Sequence, residues 1–140
     1  MSTDTLTQSS TERLTEKHPL HAEVEAAYNE GDIKRWISCY GENAVLRSGS
    51  AVGGLAIGRQ QIGKILEGLI GLRGSLAAET VYAVKADDHM LLRGKFKLSY
   101  IDEGGELQEM IAHTVEVAKR GSDGQWRFII DHASGADQLE

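Results

Sequence analysis

The chain has little of several things, and each shortage excludes something. A single cysteine, Cys39, rules out an internal disulfide and fits a reducing compartment. The only proline is Pro19, which leaves every later segment free of proline breaks. Basic residues number 15 against 21 acidic ones, a net charge of −6, so there is no basic stripe to bind a phosphate backbone. No run of about 18 apolar residues occurs, so no membrane-spanning helix is expected. The start, Met1–Thr15, lacks the basic and apolar stretches of a secretory signal. These features predict a soluble cytoplasmic protein with no nucleic-acid or membrane partner.

What is present suffices for one domain. With 140 residues and 41% hydrophobic content, the chain can bury a single substantial core. Residues 1–17 carry too few apolar groups to pack and read as a mobile tail, with one domain over 18–136 and a short tail over 137–140. Pro19 suits a first helical position, and Leu20, Val24, Ala27 and Tyr28 recur at helical spacing up to Gly31. Asp32 can cap a short second helix with Ile33, Trp36, Ile37 and Tyr40 on its apolar face. Asn43–Arg47 reads as a strand and Ser48–Gly58 as a glycine-rich loop. A third helix, Arg59–Leu72, buries Ile62, Ile65, Leu66, Leu69 and Ile70.

Beyond Gly74 the apolar period changes to two. Strands are predicted at Leu76–Lys85, from Met90 to Tyr100, at Leu107–Arg120 and at Trp126–His132, joined by Asp87-Asp88, Asp102-Glu103-Gly104-Gly105 and Gly121–Gly124. Helices followed by a strand meander make an α+β plan, with the helices on one face of a curved, mainly antiparallel sheet.

The stretches Tyr28-Asn29-Glu30-Gly31-Asp32-Ile33, Tyr40-Gly41-Glu42-Asn43-Ala44-Val45-Leu46, Ile57-Gly58-Arg59-Gln60-Gln61-Ile62 and Asp123–Asp131 occur in an order that resembles the nuclear-transport-factor-2-like (NTF2-like) superfamily, and in particular its small SnoaL-like and DUF4440-like bacterial members, distant relatives of steroid delta-isomerase. The resemblance runs from about Leu20 to Ala136. It implies a cone-shaped, cystatin-like fold enclosing a mostly apolar pocket for a small apolar molecule, and a homodimer through the other sheet face. It implies no cofactor. Pocket positions implied by it include Tyr28, Trp36, Ser48, Thr114, Arg127 and Ile129. It does not fix an activity, because the superfamily spans isomerases, dehydratases, hydrolases, cyclases and plain binding domains.

Alignment with the steroid isomerase branch puts Ser48 where that enzyme has its carboxylate base, Val24 where it has a tyrosine, and Thr114 near its acid. Neither serine nor valine can do those tasks, so that chemistry is not expected. The same alignment implies that Arg127, Ile129 and Asp131 share one face of the last strand, and Thr114 and Glu116 one face of its neighbour. Asp131, with Glu116, is therefore the candidate general acid or base, because burial raises a carboxyl toward neutrality. The competing reading makes Arg127 the structural partner of those carboxylates.

Other signals are weaker. His18 and His21 read as part of a polar helix start, and His89 lies beside a turn. His113 and His132 with Asp131 could suggest a metal site, but Asp131 and His132 point to opposite faces, so none is expected. The glycines before Arg59 have phosphate-loop spacing without its lysine. Cys39 reads as core packing.

Overall fold

The computed structural model describes residues 11–12, 17–49 and 54–137. Three helices, α1 (Pro19–Glu30), α2 (Ile33–Ile37) and α3 (Gly58–Ile70), lie against one sheet. Its strands are β1 (Thr11–Glu12), β2 (Tyr40–Arg47), β3 (Leu55–Ile57), β4 (Ser75–Ala86), β5 (His89–Ile101), β6 (Leu107–Arg120) and β7 (Trp126–His132). Their order across the sheet is β1-β4-β5-β6-β7-β2-β3. Every pairing is antiparallel except β2 with β7, which is parallel and brings the strand after the short helix beside the last strand.

Local chemistry accounts for the helix ends. Pro19 opens α1, where its missing N–H costs nothing, and His18 Nδ1 accepts from the Leu20 N–H at 3.0 Å. Gly31 closes the helix at φ 68°, a left-handed conformation that suits glycine, and donates its N–H to carbonyls of the last turn. Asp32 caps α2 by accepting from the Arg35 N–H at 3.1 Å. α1 packs on β4 and α3 on β2. Arg59 also ties α3 to β2 by donating from Nε to the Tyr40 carbonyl at 2.9 Å.

The core between helices and sheet includes Val24, Ala27, Trp36, Ile62, Leu66, Leu92 and Phe128. Phe128 is 1% exposed, and a fully buried side chain of that kind contributes on the order of 1.5–3 kcal/mol.

Several expectations change. β2 starts at Tyr40 instead of Asn43, because Tyr40 pairs with Phe128 of β7 before the ladder is interrupted and resumes at Val45. The loop expected over 48–58 contains β3, paired antiparallel with β2; its residues 50–53 lie outside the described part. Most of the tail expected over 1–17 also lies outside it, but Thr11–Glu12 pairs with Val84 and Ala83 of β4. Asp137, assigned to a terminal tail, accepts from the His113 N–H at 3.1 Å and so closes against β6.

The consequential correction is in β7. Glu116 pairs with Asp131 and Val117 with Ile130, but Ala118 pairs with Phe128, which leaves Ile129 as an extra residue. This β-bulge breaks the alternation on which the sequence reading relied. Phe128 and Asp131 both face inward, whereas Arg127 pairs with Lys119 and points away.

Candidate functional site

A cavity of about 140 Å³ lies between the helices and the sheet. Its walls are mostly apolar and aromatic, from Tyr28 and Trp36 on the helices to Phe96, Met110 and Phe128 on the sheet. Tyr40, Ser48, Thr114, Glu116 and Asp131 are also among its lining residues.

The two carboxyls meet because Glu116 of β6 and Asp131 of β7 are direct cross-strand neighbours on the inward face. Both are buried, at 2% and 8% exposure. Burial pushes the Asp131 carboxyl up to about 7, the nearby Glu116 charge adds to this, and the hydrogen bond from Tyr40 opposes it. Burial pushes Glu116 up to about 8, against a hydrogen bond from Thr114. Tyr40 donates its hydroxyl to Asp131 Oδ2 at 2.6 Å, and its own ionisation is driven well above the ordinary range, first by burial and then by Asp131. Asp131 Oδ1 is buried and has no hydrogen-bond partner among the described residues.

Behind Glu116 stands His21, which is fully buried. Its Nε2 lies 2.6 Å from Glu116 Oε1 and its Nδ1 lies 2.7 Å from Thr80 Oγ1. Burial lowers the imidazole to about 4, with Asp131 pulling the other way, so the ring is neutral at physiological pH. Histidine and carboxyl are both pushed toward their uncharged forms, so their close contact is a hydrogen bond within a proton-sharing cluster and not a simple ion pair.

Tyr28, Trp36, Ser48 and Thr114 line the cavity; Arg127 and Ile129 do not. Arg127 donates instead to both carboxylate oxygens of Asp123, at 3.2 and 2.8 Å, on the outer turn. The reading that paired it with Glu116 or Asp131 is thereby replaced. The Ser48 hydroxyl donates to the Gly54 carbonyl at 3.0 Å, which closes the loop rather than offering a base. The Tyr28 hydroxyl donates to the Leu69 carbonyl at 2.8 Å.

His132 lies opposite Val115, two residues along β6 from His113. Among the described residues no cluster of histidine, cysteine and carboxylates has the arrangement to hold a metal. Cys39 is buried, and burial pushes its thiol up to about 12, which makes it inert.

Two residues of the cluster escaped the sequence reading. Spacing puts Tyr40 on a helix face, although it also opens the strand-like motif Tyr40–Leu46, and puts His21 in a polar helix start. A signal for His21 was present, because 21, 24 and 28 fall on one helical stripe with Val24 and Tyr28.

No family model matches the sequence, and no curated protein matches it. Solved structures do match. A ketosteroid isomerase-like protein from Erwinia carotovora atroseptica is 17% identical at a TM-score of 0.66, over 82% of this chain and 95% of that one. An NTF2-like protein with a cystatin-like fold from Novosphingobium aromaticivorans is 16% identical at a TM-score of 0.69, over 86% of this chain and 79% of that one. The fold is the NTF2-like one. A third NTF2-fold neighbour, from Xanthomonas campestris, bears the name of a calcium/calmodulin-dependent protein kinase II association domain; it is 20% identical at a TM-score of 0.67, over 89% of this chain and 97% of that one. At such identities the likeness extends to the NTF2-like architecture alone, and the different names borne by these neighbours are what a fold shared among functions would give.

Proposed function

We propose that this NTF2-like domain takes a small, mostly apolar molecule into its cavity and moves a proton on it, with Asp131 as the group in contact. The observation that carries this reading is Asp131 Oδ1, a buried oxygen without a partner among the described residues, on a residue that lines an otherwise greasy cavity. Purely structural polar groups are normally satisfied when buried, and an exception points to a role beyond structure. The second carboxyl alongside, Glu116, makes a pair in which one member can hold a proton while the other accepts one.

The size and charge of the site narrow the substrate. A cavity of about 150 Å³ holds a benzene-sized molecule, so the space here suits about one ring and not a steroid. Among the described residues no lysine or arginine lines the cavity, so an anionic molecule would meet two carboxyls without compensation from them.

A panel of single-ring ketones and enones in D₂O, followed by NMR, tests this. Deuterium should enter the carbon beside the carbonyl, and Asp131→Asn should slow that by roughly 10²–10⁴-fold while the fold is retained. A panel member that binds saturably with no exchange above buffer would favour a second reading, binding without reaction. That reading is supported by Val24 and Ser48 standing where the steroid isomerase branch has its working groups.

We propose further that two copies pair through the outward sheet face, which exposes Ile101, Leu107, Ile111 and Ile130. Sedimentation giving a monomer at micromolar concentration would overturn it. A cytoplasmic location belongs to the same proposal. Its support is the single free cysteine and the lack, among the described residues, of a helix long and apolar enough to cross a membrane. Recovery of the protein outside the cytoplasm on cell fractionation would contradict it.

A further inference from the structure

The hydrogen bonds behind the cavity have a direction. Thr80 Oγ1 accepts from the His18 N–H at 2.8 Å and lies 2.7 Å from His21 Nδ1. A hydroxyl has one proton to donate, and among the described residues the partner of this buried one besides the His18 donor is His21 Nδ1, which we take as its acceptor. With Nδ1 accepting, the ring proton sits on Nε2 and is donated to Glu116 Oε1 at 2.6 Å.

The other side of Glu116 is oriented in the same sense. Thr114 Oγ1 accepts from the Gly94 N–H at 3.0 Å, and the Thr114 hydroxyl hydrogen-bonds the Glu116 carboxyl. Two chains of donors thus end on Glu116, whereas among the described residues Asp131 receives only the Tyr40 hydroxyl and keeps Oδ1 open. An ionised carboxylate is acceptor-only, and donors aimed at it favour the ionised form. Two carboxyls paired across neighbouring strands in an apolar cavity do not both ionise, so they titrate as a pair around a shared proton.

We propose that His21, oriented by Thr80, is a positioning residue that holds Glu116 as the ionised member of the pair and leaves the shared proton on Asp131 Oδ1. It rests on the acid–base reading of the cavity for its functional meaning, and it makes Asp131 the resting acid and Glu116 the resting base. The slot for the ring is built into β5. A Cβ on Gly94 would lie 2.8 Å from Thr114 Oγ1 and 3.0 Å from His21 Cε1, so glycine is what lets both groups approach. Phe96 meets the imidazole edge-on at 5.2 Å between ring centres. The titratable groups facing His21 are His18 on its own helix, Glu116 on β6 and Asp131 on β7, with Tyr40 beyond. Burial raises both carboxyls, Glu116 to about 8 and Asp131 to about 7, with Thr114 opposing it on Glu116 and Tyr40 and His21 opposing it on Asp131. Against that order stand the two donor chains that converge on Glu116.

Proton positions can be read by NMR on the free protein. In ¹⁵N spectra His21 should be protonated at Nε2 and bare at Nδ1 between about pH 5 and 8, and in ¹³C-carboxyl titrations Asp131 should titrate above Glu116. His21→Phe removes the donor, and the Glu116 midpoint should then rise by about one pH unit or more, reversing the order. His21→Gln, whose amide can still donate, should retain the wild-type order. If His21→Phe does not fold, Thr80→Val keeps the shape, frees Nδ1, and should shift Glu116 in the same direction by less. A His21 bare at Nε2 beside a protonated Glu116, a doubly protonated imidazolium, or a Glu116 midpoint unmoved in the folded variant would each overturn the proposal. None of these measurements needs a substrate, so an absence of turnover would count against the proposed function and not against this one.

Discussion

Replacing Asp131 by Asn should make the protein relatively more stable as pH rises. Burial and the neighbouring Glu116 lift the Asp131 carboxyl from 3.8 to about 7 in the folded state. A carboxyl raised on folding stabilises the fold fully below its unfolded pKa, and that contribution is lost as pH rises through the folded value. The window is therefore from about pH 4 to about pH 7. His18 and His21 work in the opposite sense, since burial lowers each to about 4 and they destabilise the fold below their unfolded value. Comparing Asp131→Asn with wild type at each pH cancels the histidine contributions to first order. The amide cannot ionise, and its oxygen can still accept from Tyr40. Between pH 5 and 8 the wild type crosses about two units of that window, so the variant should gain about 3 kcal/mol on it, an upper figure that water entry would reduce. Urea denaturation at several pH values measures this directly. A stability difference that does not change with pH would refute the reasoning, because it would mean that Asp131 ionises as an exposed carboxyl does.

Arg127→Ala should leave that pH dependence and the Asp131 titration unchanged, since Arg127 bonds Asp123 on the outer turn; a moved Asp131 midpoint in the same ¹³C experiment would contradict the bulge geometry. Gly94→Ala should destabilise the fold by about 1–3 kcal/mol through overpacking against Thr114, Phe96 and His21, and should alter the His21 ¹⁵N signals. Unchanged urea unfolding and an unchanged His21 spectrum would argue against a tight slot.

Much of the architecture was legible in the sequence, because period-three-to-four and period-two apolar patterns are local. Pro19, Gly31 and Asp32 marked helix ends for reasons confined to a single turn of backbone, and the long strands from Ser75 onward announced themselves by alternation. Asp131 and Glu116 could be placed on neighbouring strands from the family resemblance, and the structure puts them opposite each other.

What the sequence by itself determined, then, is an α+β plan with a helix-covered sheet and two carboxyls on adjacent strands. Only the tertiary structure decided which other groups join them. One extra residue at Ile129 turns Arg127 outward and Phe128 inward, and a bulge depends on the partner strand's register, which no local period encodes. The same holds for His21, ordinary at a helix start until α1 docks. Docking places it against Thr80 and Glu116, 59 and 95 residues away along the chain, where loss of water makes it neutral and makes each of its hydrogen bonds count.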